Sequence, residues 1–306
     1  MNLIALLKRL ISKIYNWLNM ALKFNNIDVQ NVLYNNTQLE RLQLNGVTVW
    51  EHTQPVPSGT VICELGTAGS YDVNIPAAGE YYCTVIGGGG GAALSMHTSS
   101  SFPAVGSMVC GGGAGGYIKA AVYFDRACTL KVNVGNSGTG KHIYRLNAQS
   151  GNTWYVNGGV GSLSNICSEL TKVVLQANGG GRGMISGKIS GASNTVNWYS
   201  QFTYSTGAGG GWSCNNQSGI TVYNITSAVG TNGNFAQNGA INTSSYGTYT
   251  ATAQVTYLPQ AGGSYGAGGG GTATTQRISG ADDRASWDYT QSTYGPYAGY
   301  VKIVKS

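Results

Sequence analysis

Gly87-Gly88-Gly89-Gly90-Gly91 is the stretch that most restricts what this chain can fold into. Residues without a Cβ have no side chain to pack, and glycine loses more conformational freedom on folding than any other residue. Order in such a run has to come from its own backbone, hydrogen-bonded to other backbones that approach where side chains would otherwise stand. Glycine clusters recur at 111 to 116, 179 to 183, 207 to 211 and 262 to 271, and 48 of the 306 residues are Gly. Extended helices with three residues per turn, stacked side by side by analogy with collagen's use of glycine, meet that requirement.

The segments beside the clusters argue against flexible linkers. Short runs of β-branched and aromatic residues predict strands at 60–64, 80–86, 117–124, 129–134, 153–156, 172–177, 248–257 and 299–304. Charged residues make up only 9% of the chain, while hydrophobic residues reach 42% and aromatics 10%, a composition that folds rather than stays disordered. The net charge of +6 is scattered, with its one basic cluster (Lys8, Arg9, Lys13, Lys23) at one end, so no nucleic-acid stripe is expected.

Residues 1–24 carry apolar side chains at Leu3, Leu7, Leu10, Ile14, Trp17, Ala21 and Phe24, in alternating steps of four and three. That spacing predicts an amphipathic helix with a coiled-coil seam, for oligomerisation or attachment to a partner, widened by Ile4, Ile11 and Leu18 in a way that suits a trimer. An amphipathic helix lying on another protein or a membrane surface is the alternative. Lys8, Arg9 and Lys13 interrupt the apolar run, so neither a secretion signal nor a membrane-spanning helix is expected. Residues 25–56 form a connector of two imperfect copies, Val32–Leu39 and Leu42–Val49, each reading as strand, Asn-Asn or Asn-Gly turn, strand. Two hairpins are too small to be stable alone and need neighbours, such as equivalent units around a threefold axis. The expected class is therefore mainly β, with an N-terminal α-helical coiled coil, a small β-hairpin connector, and a glycine-rich β domain over 57–306 with stacked polyglycine-II-like segments.

Three further stretches carry a family likeness. Pro76 to Gly91 (PAAGEYYCTVIGGGGG), Cys110 to Lys119 (CGGGAGGYIK), Thr129 to Gly135 (TLKVNVG) and the ending Gly299 to Ile303 (GYVKI) resemble, in that order, the glycine-rich domain of many bacteriophage tail fibre and tail tip proteins. The resemblance covers about residues 57 to 304. It implies a structural or host-adhesion role in which glycine-rich body segments separate variable loops, as in the distal adhesins of T-even-like phages. The coiled-coil start and the smaller number of glycine runs depart from those adhesins and favour an oligomeric fibre.

Catalytic signatures are weak. Gly135–His142 (GNSGTGKH) nearly spells a phosphate-binding P-loop, but His142 stands where the magnesium-holding hydroxyl belongs and no helix follows. Gly111–Gly116 fits a dinucleotide fingerprint by spacing alone. Asp282, Asp283 and Asp288 are the one local acidic cluster of the glycine-rich part, and adjacent loop carboxylates rarely face each other across a sugar. His52, His97 and His142 are scattered, and the six cysteines lack any CxxC spacing, so no metal or other cofactor is expected. The cysteines read as small hydrophobes in a reducing cytosol.

The polar segments between glycine clusters hold Tyr, Ser, Asn and Gly, residues that supply adaptable contact surface in recognition loops. Trp198, Tyr199, Tyr204, Trp212, Trp287, Tyr289 and Tyr294 are the receptor-contact candidates, with Phe202 and Tyr297 beside them. The expectation is a non-enzymatic phage virion fibre, in a tail fibre, tail tip or head fibre, made in the host cytoplasm. It would be homo-oligomeric, joined to other virion proteins through its N-terminal region, and would bind a bacterial surface glycan or outer-surface protein. A purely structural capsid or tail decoration protein and a glycan-cleaving tail spike are the alternatives.

Overall fold

The structure, a computed structural model, describes the backbone of residues 33–34, 37–38, 41–44, 47–51, 56–98, 105–145, 153–188, 202–240, 248–254, 265–279 and 286–306. Side chains are described within 56–95, 107–142, 155–187, 203–237, 250–254, 265–272 and 295–306. The chain divides into two compact units, Met1–Val56 and Pro57–Ser306.

In the first unit, β1 (Leu33–Tyr34) pairs with β2 (Thr37–Gln38), and β3 (Arg41–Leu44) pairs with β4 (Val47–Glu51). Tyr34 sits opposite Thr37 and Leu44 opposite Val47, the register expected of two short hairpins, while Asn35-Asn36 and Asn45-Gly46 between them lie outside the described residues.

The expected class needs correcting. Every regular element among the described residues is a strand and none is a helix, so the fold is all-β rather than β with an N-terminal coiled coil. The seam residues Leu3, Leu7, Leu10, Ile14, Trp17, Ala21 and Phe24 lie outside the described residues. Apolar spacing in steps of four and three is a requirement for such a helix and does not by itself supply one, because a short helix draws most of its stability from a partner.

The second unit is built by a chain that shuttles between two poles. It starts at the proximal pole with β5 (Val61–Leu65), β6 (Gly69–Ile75) and β7 (Gly79–Ile86). Residues 87–92 carry it to the distal β8 (Ala93–Thr98) and β9 (Val105–Cys110), and 111–116 return it to β10 (Tyr117–Phe124) and β11 (Cys128–Val134). Residues 135–140 lead to β12 (Lys141–Arg145) and β13 (Thr153–Asn157), and 158–163 return to β14 (Ser164–Cys167) and β15 (Val173–Ala177). Residues 178–183 lead to β16 (Met184–Lys188) and β17 (Phe202–Ser205), and 206–211 return to β18 (Trp212–Cys214) and β19 (Ile220–Ala228). Residues 229–234 lead to β20 (Phe235–Ala240) and β21 (Thr248–Ala253), and 265–269 run into β22 (Gly270–Ser279) and β23 (Ser286–Tyr294). The last crossing, 295–299, ends in β24 (Tyr300–Lys305) at the proximal pole.

The proximal pole is a β-sandwich. One sheet has the order β19-β10-β7-β24-β5 and the other β18-β15-β14-β11-β6. Alternate residues of both meet in one apolar core: Tyr81, Val85, Ile118, Phe124 and Ile303 from the first, Ile75, Leu130, Val132, Ile166 and Leu175 from the second. Tyr81 and Phe124 pack edge to face with ring centroids 5.6 Å apart, a favoured aromatic geometry. At the exposed edge, a bulge opposite Lys119 and Ala121 places Asn224 at φ 50, which Asn tolerates and which breaks the flat edge of β19.

At the distal pole, the sheet β12-β8-β9-β20 is a middle layer. Leu94 and Val109 pack against Ala251 and Ala253 of the sheet β21-β22-β23. Ala93, Met108 and Cys110 pack on the opposite side against Val156 and Ile185 of the sheet β13-β16-β17.

Between the poles, hydrogen bonds replace side-chain packing. Gly87, Gly88 and Gly89 donate to Gly116, Ser162 and Tyr297, and then Gly90 and Gly91 donate to Gly113 and Gly159, so the partners repeat every third residue. Gly138, Gly180 and Gly269 donate in turn to the carbonyls of Gly89, Gly88 and Gly90. Residues 87–92 are thus a threefold extended helix ringed by segments 111–116, 135–140, 158–163, 178–183, 265–269 and 295–299, the hexagonal arrangement of polyglycine II. A Cβ on Gly89 or Gly90 would fall inside the carbonyl oxygen of Ala267 or Gly181, which is why positions 87–91 carry no side chains.

Candidate functional site

The glycine bundle sorts the connections by pole. Proximal strands are joined through 66–68, 76–78, 125–127, 168–172 and 215–219, whereas distal strands are joined through 99–104, 146–152, 189–201, 241–247 and 280–285. The distal connections are longer and include SSSFPA, LNAQSGN and ISGASNTVNWYSQ, which are uncharged. Trp198 and Tyr199 belong to 189–201, between β16 and β17, outside the described residues. Trp287, Tyr289 and Tyr294 are on β23 of a distal sheet. Phe202 and Tyr204 are on β17, also distal.

Tyr204 is 53% exposed and stacks on Phe235 with centroids 3.9 Å apart and planes within 5°. The pair joins β17 and β20, the edge strands of two different sheets. Phe235 was not legible as a site residue, although its place directly after a glycine segment at the distal pole is a signal once the two-pole path is known. Tyr155, 74% exposed on β13, is a second distal aromatic missing from the sequence-derived candidates.

Trp212 is on a different sheet from Tyr204, Trp287, Tyr289 and Tyr294. It opens β18 opposite Ala177 in the proximal sandwich, at the far end of the bundle from the distal strands. Tyr297 lies within the bundle, its amide donating to Ala267 and its carbonyl accepting from Gly89.

The proximal sheet face carries polar groups that satisfy one another. Glu80 accepts from the Tyr223 hydroxyl and, at 2.8 Å, from Ser306 Oγ. Glu64 accepts from the Tyr300 hydroxyl at 2.7 Å and from Lys302 Nζ at 2.9 Å. These hydrogen bonds, from Tyr223 and from Tyr300 first, hold both carboxyls below the usual range, while Glu80 pushes the Tyr223 phenol up to about 12. Carboxylates stabilised in their charged form are suited to ion pairing, whereas a general acid needs the opposite shift. Asp282 and Asp283 lie outside the described residues, and Asp288 sits on β23 opposite Gln276.

The P-loop-like segment belongs to the bundle. Gly135 donates its amide to Ser164 Oγ at 2.9 Å, Gly138 to Gly89 at 2.8 Å and Lys141 to Ala92 at 2.9 Å, so these amides are not available to cradle a phosphate. The amides of residues 111–116 are likewise all donated to neighbouring segments. No family model and no curated protein matches this chain.

Proposed function

We propose that this chain is a bacteriophage fibre subunit that binds a host-cell surface receptor through its distal pole and catalyses no reaction. The observation that carries this reading is that the glycine bundle separates two sets of strands, with the longer connections, uncharged apart from Asp282, Asp283 and Arg284 in 280–285, joining the distal set. A bundle held by backbone hydrogen bonds is stiff and places no demand on the sequence of those connections, and recognition is favoured on loops positioned by a rigid scaffold. Their Ser, Asn, Gly and aromatic content suits adaptable contact with a glycan or an outer-surface protein. Homo-oligomerisation, expected as a trimer, draws support from the hairpins of the first unit, which are too small to stand alone. Several copies on one virion would turn weak sites into avid attachment.

The test is binding of fluorescently labelled full-length protein to a panel of bacterial strains, before and after stripping of surface polysaccharide. Retention by a subset of strains supports the reading, and loss on stripping identifies a glycan receptor. Retention by no strain, or by all equally, would overturn it in favour of a purely structural decoration protein.

A further inference from the structure

A second surface at the distal pole has the chemistry of a sugar platform. On the outer face of the sheet β13-β16-β17, Tyr155 lies directly opposite Ser186, and Ser186 directly opposite Thr203. Tyr155 is 74% exposed and makes no hydrogen bond, ion pair or ring contact among the described residues. Ser186 Oγ and Thr203 Oγ1 are 2.7 Å apart and hydrogen-bond each other in the open. Two residues along, on the same face, Asn157 and Ser205 flank Met184.

Three side chains in register across three strands span roughly 10 Å, twice the interstrand spacing and about the length of a disaccharide. An exposed ring presents a flat apolar face to the C–H face of a pyranose, and hydroxyl and amide groups beside it can each donate and accept, as sugar hydroxyls require. None of these five side chains is charged, which suits a neutral ligand, and Lys188 lies beyond them on β16, opposite Thr153. An exposed tyrosine cluster of the proximal sandwich differs on each point. On the proximal sheet the Tyr223 hydroxyl is committed to Glu80, and the Lys119 ammonium lies 5.8 Å over the Tyr82 ring.

We propose that Tyr155, Ser186 and Thr203, with Asn157 and Ser205, bind a neutral pyranose oligosaccharide. This rests on the reading of the chain as a host-surface binder and names a ligand class for the outer face of the sheet β13-β16-β17 rather than for the connections between the distal strands. The ring stacks on a sugar face while the Ser186–Thr203 pair exchanges its mutual hydrogen bond for bonds to sugar hydroxyls.

The experiment applies full-length protein to an array of neutral hexose and deoxyhexose oligosaccharides of bacterial surface type. Binding to a subset is expected, about tenfold weaker for Tyr155→Ala and retained by Tyr155→Trp, the size expected for one stacking contact. The melting temperature of Tyr155→Ala should stay close to the parent's, because the ring is largely exposed and makes no hydrogen bond or ring contact among the described residues. Absence of binding to any glycan, or binding indifferent to Tyr155→Ala and to Thr203→Val, would overturn the platform. Cell binding separates the two ideas. Strains that retain Tyr155→Ala as well as the parent, with an empty array, would leave the adhesin reading standing and remove the platform. Array binding lost in Tyr155→Ala while no strain retains the parent would do the reverse.

Discussion

The amide of Gly89 donates to the carbonyl of Tyr297 at 2.9 Å, tying the first glycine run of the chain to its last crossing segment. The contact is possible because nothing stands between the two backbones, and a neighbouring segment crowds Gly89 as well, the Ala267 carbonyl leaving no room for a methyl group there. Overpacking usually costs about 1–3 kcal/mol when side chains can move aside, and here the obstacle is backbone. Gly89→Ala is therefore expected to exceed about 3 kcal/mol and to prevent assembly of the bundle. Gly295→Ala serves as the matched control, since a Cβ there meets nothing within 4 Å. Calorimetric melting of both variants checks this, and a Gly89→Ala protein melting like the parent would contradict the packed bundle.

The cysteines should be chemically quiet. All six are free, and Cys83 is completely buried. Cys63 and Cys83 both lie opposite Ile303, on either side of it, which puts their backbones roughly two strand spacings apart and beyond the reach of a disulfide. Burial pushes the Cys63 and Cys110 thiols up to about 11, and Cys83 higher still. The thiolate is the reactive species, so native protein is expected to leave Cys83 and Cys110 unmodified by Ellman's reagent at pH 8, with all six reacting in guanidinium. Rapid modification of either residue in folded protein would be inconsistent with this core.

Glu80 and Tyr223 make stability depend on pH at both ends. Glu80 is held below its ordinary value in the folded state, so its contribution is complete above its unfolded value of 4.5 and is lost as pH falls through the folded one. Tyr223 is raised from 10.0 to about 12, so its contribution is complete below 10 and fades as pH climbs towards 12. The difference in melting temperature between the parent and Tyr223→Phe should be largest from pH 5 to 9 and shrink on both sides. A difference that stayed constant across the range would show that the Tyr223–Glu80 bond is not its source.

How far the sequence revealed this fold can be judged at particular segments. Strands such as 80–86 and 117–124 were legible because alternation of apolar residues is a local signal, and β7 and β10 occupy those positions. The glycine runs at 87–91 and 111–116 were legible because every glycine there faces another backbone, while Ala114 packs against Ile86 and Tyr117. Segments 135–140, 158–163 and 229–234 were not, and the first looked like a P-loop. At the rim of the bundle only every third residue faces inward, so Gly158 and Gly161 are required while Val160 and Leu163 are exposed at 56% and 42%. The signal was a glycine at every third position. The Tyr204–Phe235 pair and the row from Tyr155 to Thr203 were hidden for another reason, since they depend on which strands become neighbours, and that follows from the bundle rather than from local pattern.

The aromatic candidates should separate by pole. Trp198 and Tyr199 belong to a distal connection, whereas Trp212 lies opposite Ala177 in the proximal sandwich and is 38% exposed. Removing a partly covered indole loses packing worth about 1–2 kcal/mol at roughly 25 cal/mol per Å². Trp212→Ala is thus expected to lower the melting temperature by several degrees and to leave cell binding per folded molecule unchanged. Trp198→Ala and Tyr199→Ala should do the opposite, weakening retention on a bound strain about tenfold while melting with the parent, as the loss of a contact aromatic does. Flow cytometry of labelled variants, paired with their melting curves, checks both. Trp212→Ala abolishing binding with unchanged melting would place the receptor contact at the proximal pole and overturn the division of labour between the two ends.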